Sequence, residues 1–390
     1  MGTLSDTPRA NRVHITFFGK TNAGKSSLIN RIVGSEIALV SDVAGTTTDP
    51  VYKSMELLPI GPVVFIDTAG LDDESELGRA RVKKTREVAG KTDIAVFVIR
   101  GGDTDFATET EIMKLLREKD VPVIIAWNQF DRSIKQQATG QNEVLINAKT
   151  GQGIDRLKKL ITEQVADAGD ESITGNLVQK GDVVMLVMPQ DVQAPKGRLI
   201  LPQVQVMRDL LDNGCKVVSV KTEDMLPMLR KLTDPPKLVI TDSQVFKYVN
   251  DNLDKTIPLT SFSMLMAKQK GDIREFMNGA RAIASLCPGD KVLIAESCAH
   301  HAMKGDIARE KLPGWMDEYV GGALQYETTS GHGFPEDIGQ YKMILHCGAC
   351  MINRQNMMSK IGKAKEKGVP ITNFGVAIAF MNGMLQRVTV

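Results

Sequence analysis

Short runs of valine, isoleucine and leucine recur along the chain, and most precede a polar loop and then a stretch with helical spacing of apolar residues. Such runs predict buried strands of a parallel sheet, because helices cover both faces of these strands. The predicted strands cover residues 12–18, 63–67, 121–127, 181–188, 215–220, 237–241, 291–296, 342–345 and 370–374. The predicted helices cover residues 153–166, 202–213, 271–286, 353–367 and 375–387. This alternation indicates an α/β protein.

The chain is long enough for more than one hydrophobic core, with 390 residues. A polar, glycine-containing stretch at residues 167–175 indicates a linker. We predict three domains, which cover residues 1–168, 176–264 and 265–390. The middle segment has strand–helix alternation without a set of catalytic side chains, which makes it a candidate assembly module.

The first predicted strand leads into a GxxxxGKS phosphate-binding loop, which then opens a helix. Backbone N–H groups of such a loop bind phosphates, and the helix N-terminus adds partial positive charge. We expect Lys25 to reach the β- and γ-phosphates and Ser26 to bind Mg²⁺. The loop residues predicted to contact the nucleotide are Gly19, Asn22, Ala23, Gly24, Lys25, Ser26 and Ser27.

Two further motifs indicate a nucleoside triphosphate bound with Mg²⁺. The polar stretch at residues 41–50 is similar to the first switch of GTPases, where we expect Thr46 to contact nucleotide and Thr47 to bind Mg²⁺. A strand ending in Asp67-Thr-Ala-Gly70 supplies a carboxylate that holds Mg²⁺ through water and a Gly70 N–H for the γ-phosphate. The predicted catalytic residues are Lys25, Thr47, Asp67 and Gly70.

The base is indicated by two later segments. Asn128 and Asp131 form an N-x-x-D pattern, and the Asp131 carboxylate can accept from guanine N1–H and the 2-amino group, which adenine cannot match. Asn147, Ala148 and Lys149 form the last loop, where we expect the Ala148 N–H to face guanine O6. These motifs, in this order, predict GTP as the nucleotide. The predicted fold is an N-terminal P-loop GTPase domain followed by two smaller parallel-sheet α/β domains.

The order of the motifs is similar to that of the translation-factor-like GTPases, in particular the MnmE/Era-like branch. The resemblance implies that Asn22, together with the first switch, binds K⁺, and that K⁺ replaces an arginine finger. Leu71 stands where Ras-like proteins carry a water-orienting glutamine, so we expect slow unaided hydrolysis. Gln129 stands where the family pattern has lysine, and we expect weaker guanine affinity as a result.

Metal-ligand side chains cluster after two predicted strands in the last third of the chain. Cys298 and His300 follow one strand, and His346, Cys347 and Cys350 follow another. Because sites form outside the carboxyl ends of parallel strands, we expect the two sets to meet. Three thiolates and a histidine suit either structural zinc or a [4Fe–4S] cluster with one weakly held position. Packing cysteines and a redox dithiol are the other interpretations.

The other cysteines and basic residues do not indicate a second site. We expect Cys215, at the start of an apolar run, and Cys287, in a Cys-Pro-Gly turn, to be packing residues. The basic run at residues 360–367 is interpreted as a solvated helix face. His332 lies between two glycines, and we expect it to be exposed and to be a candidate ligand or proton carrier.

The amino-acid composition and the sequence pattern argue against two classes of binding partner, nucleic acids and membranes. The chain has 48 basic and 47 acidic residues, so it lacks the positive charge of a nucleic-acid-binding protein, and we expect no such partner. No apolar run approaches the roughly 18 residues of a membrane-spanning helix, and we expect no membrane partner. Five cysteines, an odd number, favour a reducing compartment, and the short polar N-terminus is unlike a signal peptide. These features predict a cytoplasmic protein.

The GTPase motifs, the middle α/β segment and the C-x-H … H-C-x-x-C set together resemble the HydF family, the maturation GTPases of [FeFe]-hydrogenase. The resemblance implies a scaffold that holds a [4Fe–4S] cluster through Cys298, Cys347 and Cys350, with the remaining iron site open or bound by histidine. It implies that a diiron subcluster precursor, built by the radical-SAM maturases HydE and HydG, is held there and delivered to the hydrogenase apoprotein HydA. It also implies a homodimer or higher homo-oligomer formed through the middle domain.

Two other functions fit parts of the pattern. One is a zinc-containing GTPase in tRNA or ribosome work, which predicts bound zinc and affinity for RNA. The other is an iron–sulfur electron-transfer or sensor protein regulated by GTP, which predicts a reversible redox couple with every iron bound by the protein. Metal content separates the first from the HydF-like function, and iron coordination separates the second.

Overall fold

The computed structural model describes residues 12–34, 40–43, 50–71, 84–128, 140–168, 172–189, 199–297, 307–331, 334–335, 337–349 and 351–390. The chain divides into two compact units, Met1–Asp170 and Glu171–Val390. Each unit has sheets and hydrophobic cores of its own, so the two are described separately.

Within the described residues, the first unit is built on a seven-stranded sheet with the order β2-β3-β4-β1-β5-β6-β7. Its strands are β1 (Val13–Phe18), β2 (Val40–Val43), β3 (Val51–Leu57), β4 (Gly61–Asp67), β5 (Ile94–Arg100), β6 (Val123–Asn128) and β7 (Glu143–Ile146). The strands from β4 to β7 in this order are parallel, whereas β3 and β2 continue the sheet in antiparallel fashion. Its helices include α1 (Lys25–Gly34), α2 (Ala107–Arg117) and α3 (Ile154–Ala168), and residues 84–89 are also helical.

The central strands of this sheet are apolar on both faces, as strands covered by helices must be. β5 is buried at every position except its last. Phe17 of β1 and Phe65 of β4 meet edge to face, with ring centroids 5.4 Å apart. Three predicted strands are confirmed, and each observed end lies within two residues of its predicted position: residues 12–18, 63–67 and 121–127. β3 was not predicted, because Lys53, Ser54 and Glu56 interrupt its apolar pattern.

Within the described residues, the second unit contains two four-stranded parallel sheets. One sheet has the order β11-β10-β8-β9, with strands β8 (Val183–Val187), β9 (Lys216–Val220), β10 (Leu238–Thr241) and β11 (Leu259–Ser261). The other has the order β13-β12-β14-β15, with strands β12 (Lys291–Glu296), β13 (Gln325–Ser330), β14 (Met343–His346) and β15 (Ile371–Asn373). The prediction of parallel-sheet α/β regions after the P-loop region is therefore confirmed.

The described helices of the second unit alternate with these strands. They are α4 (Leu201–Asp212), α5 (Met225–Leu229), α6 (Phe246–Asn252), α7 (Phe262–Lys270), α8 (Ile273–Arg281), α9 (Leu312–Val320), α10 (Arg354–Glu366) and α11 (Phe374–Met381). Helix α7 contributes to two of the hydrophobic clusters of the unit, since Leu265 packs in a cluster of the first sheet and Met264 in that of the second. The predicted boundary between residues 264 and 265 falls within this helix, and the division into three domains stays a prediction.

Strand β13 is absent from the predicted strands, and helix α9, which precedes it, is absent from the predicted helices. β13 lies at the edge of its sheet, and its sequence Gln-Tyr-Glu-Thr-Thr-Ser is largely exposed. An edge strand needs no apolar run, so the hydrophobic pattern does not detect it.

The first residues of the second unit are tied to helix α4 by one carboxylate. Asp209 Oδ1 accepts from the Ile173 N–H at 2.9 Å, and Asp209 Oδ2 accepts from the Thr174 N–H at 2.9 Å. The hydroxyl groups of Thr174 and Ser172 donate to Oδ2 at 2.6 and 3.1 Å. Thr174 is fully buried, so the loss of this acceptor would leave buried donors without a partner.

We therefore expect Asp209→Ala to lower the free energy of opening of this segment by about 2–4 kcal/mol, because several bonds to one charged acceptor are lost. Hydrogen–deuterium exchange of the full chain, followed in peptides that cover residues 172–187, measures this loss. Asp212→Ala, on the same helix, is the control, since Asp212 forms an exposed ion pair with Arg208 and, among the described residues, no bond to the segment at residues 172–174. Equal exchange in the two variants would contradict the role of Asp209.

Candidate functional site

The phosphate-binding loop connects β1 to α1 and is shaped by residues with positive φ. Gly19 has a φ of +147°, and a Cβ there would lie 2.3 Å from the Val98 carbonyl oxygen. Asn22 and Gly24 also have positive φ, at 59° and 98°. This alternation of backbone conformations forms the concave loop that the sequence motif predicts.

Lys25 occupies this loop. Its side chain is buried, and Nζ donates to the carbonyl oxygens of Gly19 and Lys20, each at 2.8 Å. The ammonium group is therefore already held against the loop where the β- and γ-phosphates are expected. Ala23 is buried under the loop, whereas Ser26 and Ser27 at the start of α1 are exposed.

The two described residues predicted to serve Mg²⁺ lie together. Ser26 Oγ donates to Asp67 Oδ2 at 2.5 Å, and Asp67 Oδ1 is buried without a hydrogen-bond partner among the described residues. Burial raises the pKa of Asp67, while the Ser26 bond and the charges of Lys25 and Lys53 oppose this shift. A carboxylate with one free oxygen beside a serine hydroxyl fits a divalent cation. Thr46 and Thr47 lie outside the described residues.

The Asp67-Thr-Ala-Gly70 segment follows β4 and lies directly against the phosphate-binding loop. Thr68 Oγ1 donates to the Phe17 carbonyl oxygen at 2.7 Å. A Cβ on Gly70 would lie 2.0 Å from Thr21 Oγ1 and 2.7 Å from the Thr21 nitrogen. Only glycine fits this approach, which brings the Gly70 backbone to the loop that is expected to hold the γ-phosphate.

Asn128 connects the first nucleotide motif to the last. Its side chain is fully buried; Nδ2 donates to the Ala23 carbonyl oxygen at 2.8 Å, and Oδ1 accepts from the Ala148 N–H at 3.1 Å. Asn147 Oδ1 accepts from the N–H groups of Lys149 and Thr150, both at 3.0 Å, which fixes the last loop. The predicted contact between the Ala148 N–H and guanine O6 stays a prediction. Gln129 and Asp131 lie outside the described residues.

The candidate metal centre lies at the carboxyl ends of β12 and β14. The two strands are parallel neighbours, with Ala295 opposite His346. The Cys347 N–H donates to the Ala295 carbonyl oxygen at 2.9 Å, and the Ser297 N–H donates to Cys347 Sγ at 3.2 Å. Cys298 is the next residue of the chain after Ser297. The ends of β12 and β14 therefore lie side by side, and the meeting of the two ligand sets stays a prediction.

Several predicted ligands are not described. Cys298, His300 and Cys350 lie outside the described residues, as does His332. Within the part of the chain that is described, no group of three or more His, Cys, Asp or Glu side chains is placed to hold a metal ion. The ligand set that the sequence predicts therefore stays a prediction, and the described residues test its fit only through His346 and Cys347.

His346 is fully buried, with Nδ1 2.8 Å from the Cys347 carbonyl oxygen. Because a carbonyl oxygen only accepts, Nδ1 carries the proton, and the lone pair of a neutral ring is on Nε2. Nε2 has no hydrogen-bond partner among the described residues. Burial lowers the pKa of His346 to about 3, helped by the Lys360 charge and opposed by the Cys347 bond. His346 is thus a neutral imidazole with an unused lone pair, which fits a metal ligand.

Lys360 corrects the expectation that the basic run on α10 is a solvated face. It is only 5% exposed, and its Nζ lies 4.5 Å from the centroid of the Phe334 ring. The Phe334 and His346 ring centroids are 6.3 Å apart. Burial lowers the pKa of Lys360 to about 8, while the charge of Cys347 opposes this shift and that of Lys363 adds to it. Lys360 thus lies beside the candidate metal centre, although its place in a basic run gives no sign of this.

The two cysteines outside the predicted ligand set differ from each other. Cys215 is buried in the core of the β8 sheet, as predicted, and burial raises the pKa of its thiol. Cys287 is exposed, and the expectation that it packs in a core is wrong. It begins the turn before β12, where its N–H donates to Asp290 Oδ2 at 2.9 Å. Turn residues at the start of a strand face solvent, which explains the exposure.

A search of the described residues finds no helix with the length and apolar character needed to span a bilayer.

The fold and these sites define the class of protein: a P-loop GTPase domain followed by parallel-sheet α/β regions. Residues 14–129 match the family model of the 50S ribosome-binding GTPase. Residues 173–271 match the hydrogen maturase F dimerization domain, and residues 274–390 match the hydrogen maturase F tetramerization domain. The chain belongs to the hydrogen maturase F (HydF) family and has an N-terminal GTPase domain, as the sequence motifs predicted.

Curated relatives match the GTPase part of the chain. The tRNA modification GTPase MnmE of Endomicrobium trichonymphae is 35% identical over 188 residues, which is 45% of this chain and 38% of the relative. GTPase Der of Geobacillus thermodenitrificans is 37% identical over 118 residues, which is 30% of this chain and 27% of the relative. The chain thus spans less than two fifths of these relatives. Among solved structures, the G domain of the T. maritima FeoB iron transporter is 22% identical to this chain, with a TM-score of 0.30. The match covers 40% of this chain and 99% of that structure.

We expect Asn128→Ala to weaken guanine-nucleotide binding about tenfold or more, because the Ala23 carbonyl and the Ala148 N–H lose a buried partner. Binding of a fluorescent GDP analogue to the full chain measures the loss. Asn142→Ala is the matched control, since this asparagine precedes β7 and its side chain makes neither of these bonds. A GDP affinity that is the same in both variants would contradict the bridging role of Asn128.

Proposed function

We propose that this protein is a GTPase and an iron–sulfur scaffold that carries a diiron subcluster precursor to apo [FeFe]-hydrogenase. The observation that carries the scaffold part is the bond from the Ser297 N–H to Cys347 Sγ, because it joins the two segments that contain the predicted ligands. Membership of the hydrogen maturase F family supports the same function.

In the proposed GTPase reaction, the described residues bind and orient the nucleotide. Lys25 contacts the β- and γ-phosphates, Ser26 and Asp67 hold Mg²⁺, and the Gly70 N–H contacts the γ-phosphate. Thr47 completes the Mg²⁺ site, and Asp131 selects guanine. Leu71 lacks the carboxamide that orients water in Ras-like proteins, so unaided hydrolysis is slow.

In the proposed metal centre, Cys298, Cys347 and Cys350 hold a [4Fe–4S] cluster as thiolates. When bound, such a cluster would supply an iron site that is open or weakly held and therefore able to bind an exchangeable ligand. The Ser297 N–H donates to Cys347 Sγ, which holds this sulfur atom at the ends of β12 and β14. His346 keeps a neutral nitrogen available, and His300 or His346 is the proposed fourth ligand.

The proposed cargo and partners are those that the resemblance to the family implies. The diiron precursor is received from the radical-SAM maturases HydE and HydG and passed to the hydrogenase apoprotein HydA. The matched domain descriptions, dimerization and tetramerization, support a homo-oligomer. We propose a cytoplasmic location, because thiolate clusters need reducing conditions.

We predict that anaerobically purified protein contains about four irons per chain and gives a reduced [4Fe–4S] signal by electron paramagnetic resonance. Cys347→Ser should lose this signal, because it removes one thiolate ligand. Cys287→Ser is the matched control, since this exposed cysteine lies before β12 rather than after it. Stoichiometric zinc without visible absorption would instead indicate a GTPase with a structural zinc site.

The proposed K⁺ site gives a separate prediction. GTP hydrolysis should be faster in KCl than in NaCl of equal ionic strength, and Asn22→Ala should remove the difference while GTP still binds. Lys25→Ala is the comparison, because it should lower hydrolysis in both salts through lost phosphate contacts. The same initial rate of phosphate release in both salts for the parent protein would refute K⁺ dependence.

A further inference from the structure

Helix α10 carries a buried lysine in its apolar face. Lys360 lies between Met357 and Ile361 on the buried side of the helix, and all three side chains are at most 5% exposed. The Lys360 Nζ has no hydrogen-bond partner among the described residues, and it forms no ion pair with a described carboxylate. An ammonium group in such surroundings is strongly unfavourable unless a partner compensates its charge.

The compensation among the described residues is incomplete. Nζ lies 4.5 Å from the centroid of the Phe334 ring, and this cation–π contact replaces only part of the lost hydration. Lys363, one turn further along α10, provides a contrast because its Nζ donates to the Pro335 carbonyl oxygen at 3.1 Å. Both lysines thus contact residues 334–335, but the Lys360 amino group, unlike that of Lys363, lacks an acceptor among the described residues.

The surroundings of Lys360 indicate where an anion would compensate its buried charge. A negatively charged Cys347 would raise the pKa of Lys360, and Phe334, which Lys360 contacts, also packs against the His346 ring. The buried cation therefore lies beside the strand ends that carry the predicted ligands. A cluster held by three thiolates has a net negative charge, which increases when the cluster is reduced.

We propose that Lys360 is a positioning residue whose ammonium group supplies the buried positive charge that balances the anionic cluster at the ends of β12 and β14. This inference rests on the proposed function. In a medium of low dielectric constant, the charge attracts the cluster in both redox states and the reduced state more strongly. Lys360 thus favours retention of the cluster and raises its reduction potential.

Three measurements separate this role from a structural one. The metal-free chain contains the buried charge without its anion, so Lys360→Met should unfold at the same or a higher denaturant concentration than the parent. In the cluster-loaded chain, Lys360→Met should have the opposite effect. The variant should lose iron to a ferrous chelator several-fold faster than the parent. Its midpoint potential, from an electron paramagnetic resonance titration, should be more negative than that of the parent.

The controls are Lys363→Met, which removes a charge from the same helix, and Lys360→Arg, which keeps the buried charge. Both should retain iron and a midpoint potential close to those of the parent. Lys360→Gln is a second neutral variant in case methionine disturbs the fold, and it should behave as Lys360→Met does. If the neutral Lys360 variants bind the cluster and yet match the parent in the rate of iron loss and in midpoint potential, that result would overturn the inference alone. A parent protein that takes up no iron would overturn the proposed function and the inference with it.

Discussion

The parallel pairing of β12 with β14 is the constraint on which the candidate metal centre depends. Its register places Ala295 opposite His346, and the Cys347 N–H continues the ladder to the Ala295 carbonyl oxygen. One residue beyond the strand, the Ser297 N–H reaches Cys347 Sγ. A shift of register by one residue would turn every side chain to the other face of the sheet and separate these groups. The hydrophobic positions of both strands therefore fix the site as well as the core.

The nucleotide site of the first unit follows the same rule, since its motifs lie at the carboxyl ends of parallel strands. Asn128 ends β6 and bonds to the loop after β1 and to the loop after β7. Gly70 follows β4 and approaches the phosphate-binding loop so closely that no side chain fits. The sheet order thus brings motifs that are far apart in sequence together at one edge of the sheet.

Much of this could be predicted from the sequence, because buried parallel strands and glycine-rich loops have strong local patterns. The β12 strand was predicted with its observed limits, and the start of α10 was predicted within one residue. Lys360 was missed because a basic run suggests a solvated face, although its spacing from Met357 and Ile361 places it on the apolar side. Cys287 and strand β13 were misjudged because exposure at a turn or sheet edge depends on tertiary neighbours, which local patterns do not encode.

The central claim is that a GTPase domain and an iron–sulfur site occur on one chain. X-ray absorption at the iron and zinc edges, on protein purified without oxygen, tests it most directly. The account predicts an iron edge with sulfur neighbours and the short iron–iron distances of a cluster, together with little zinc. A zinc edge with sulfur and nitrogen neighbours and no iron would contradict it.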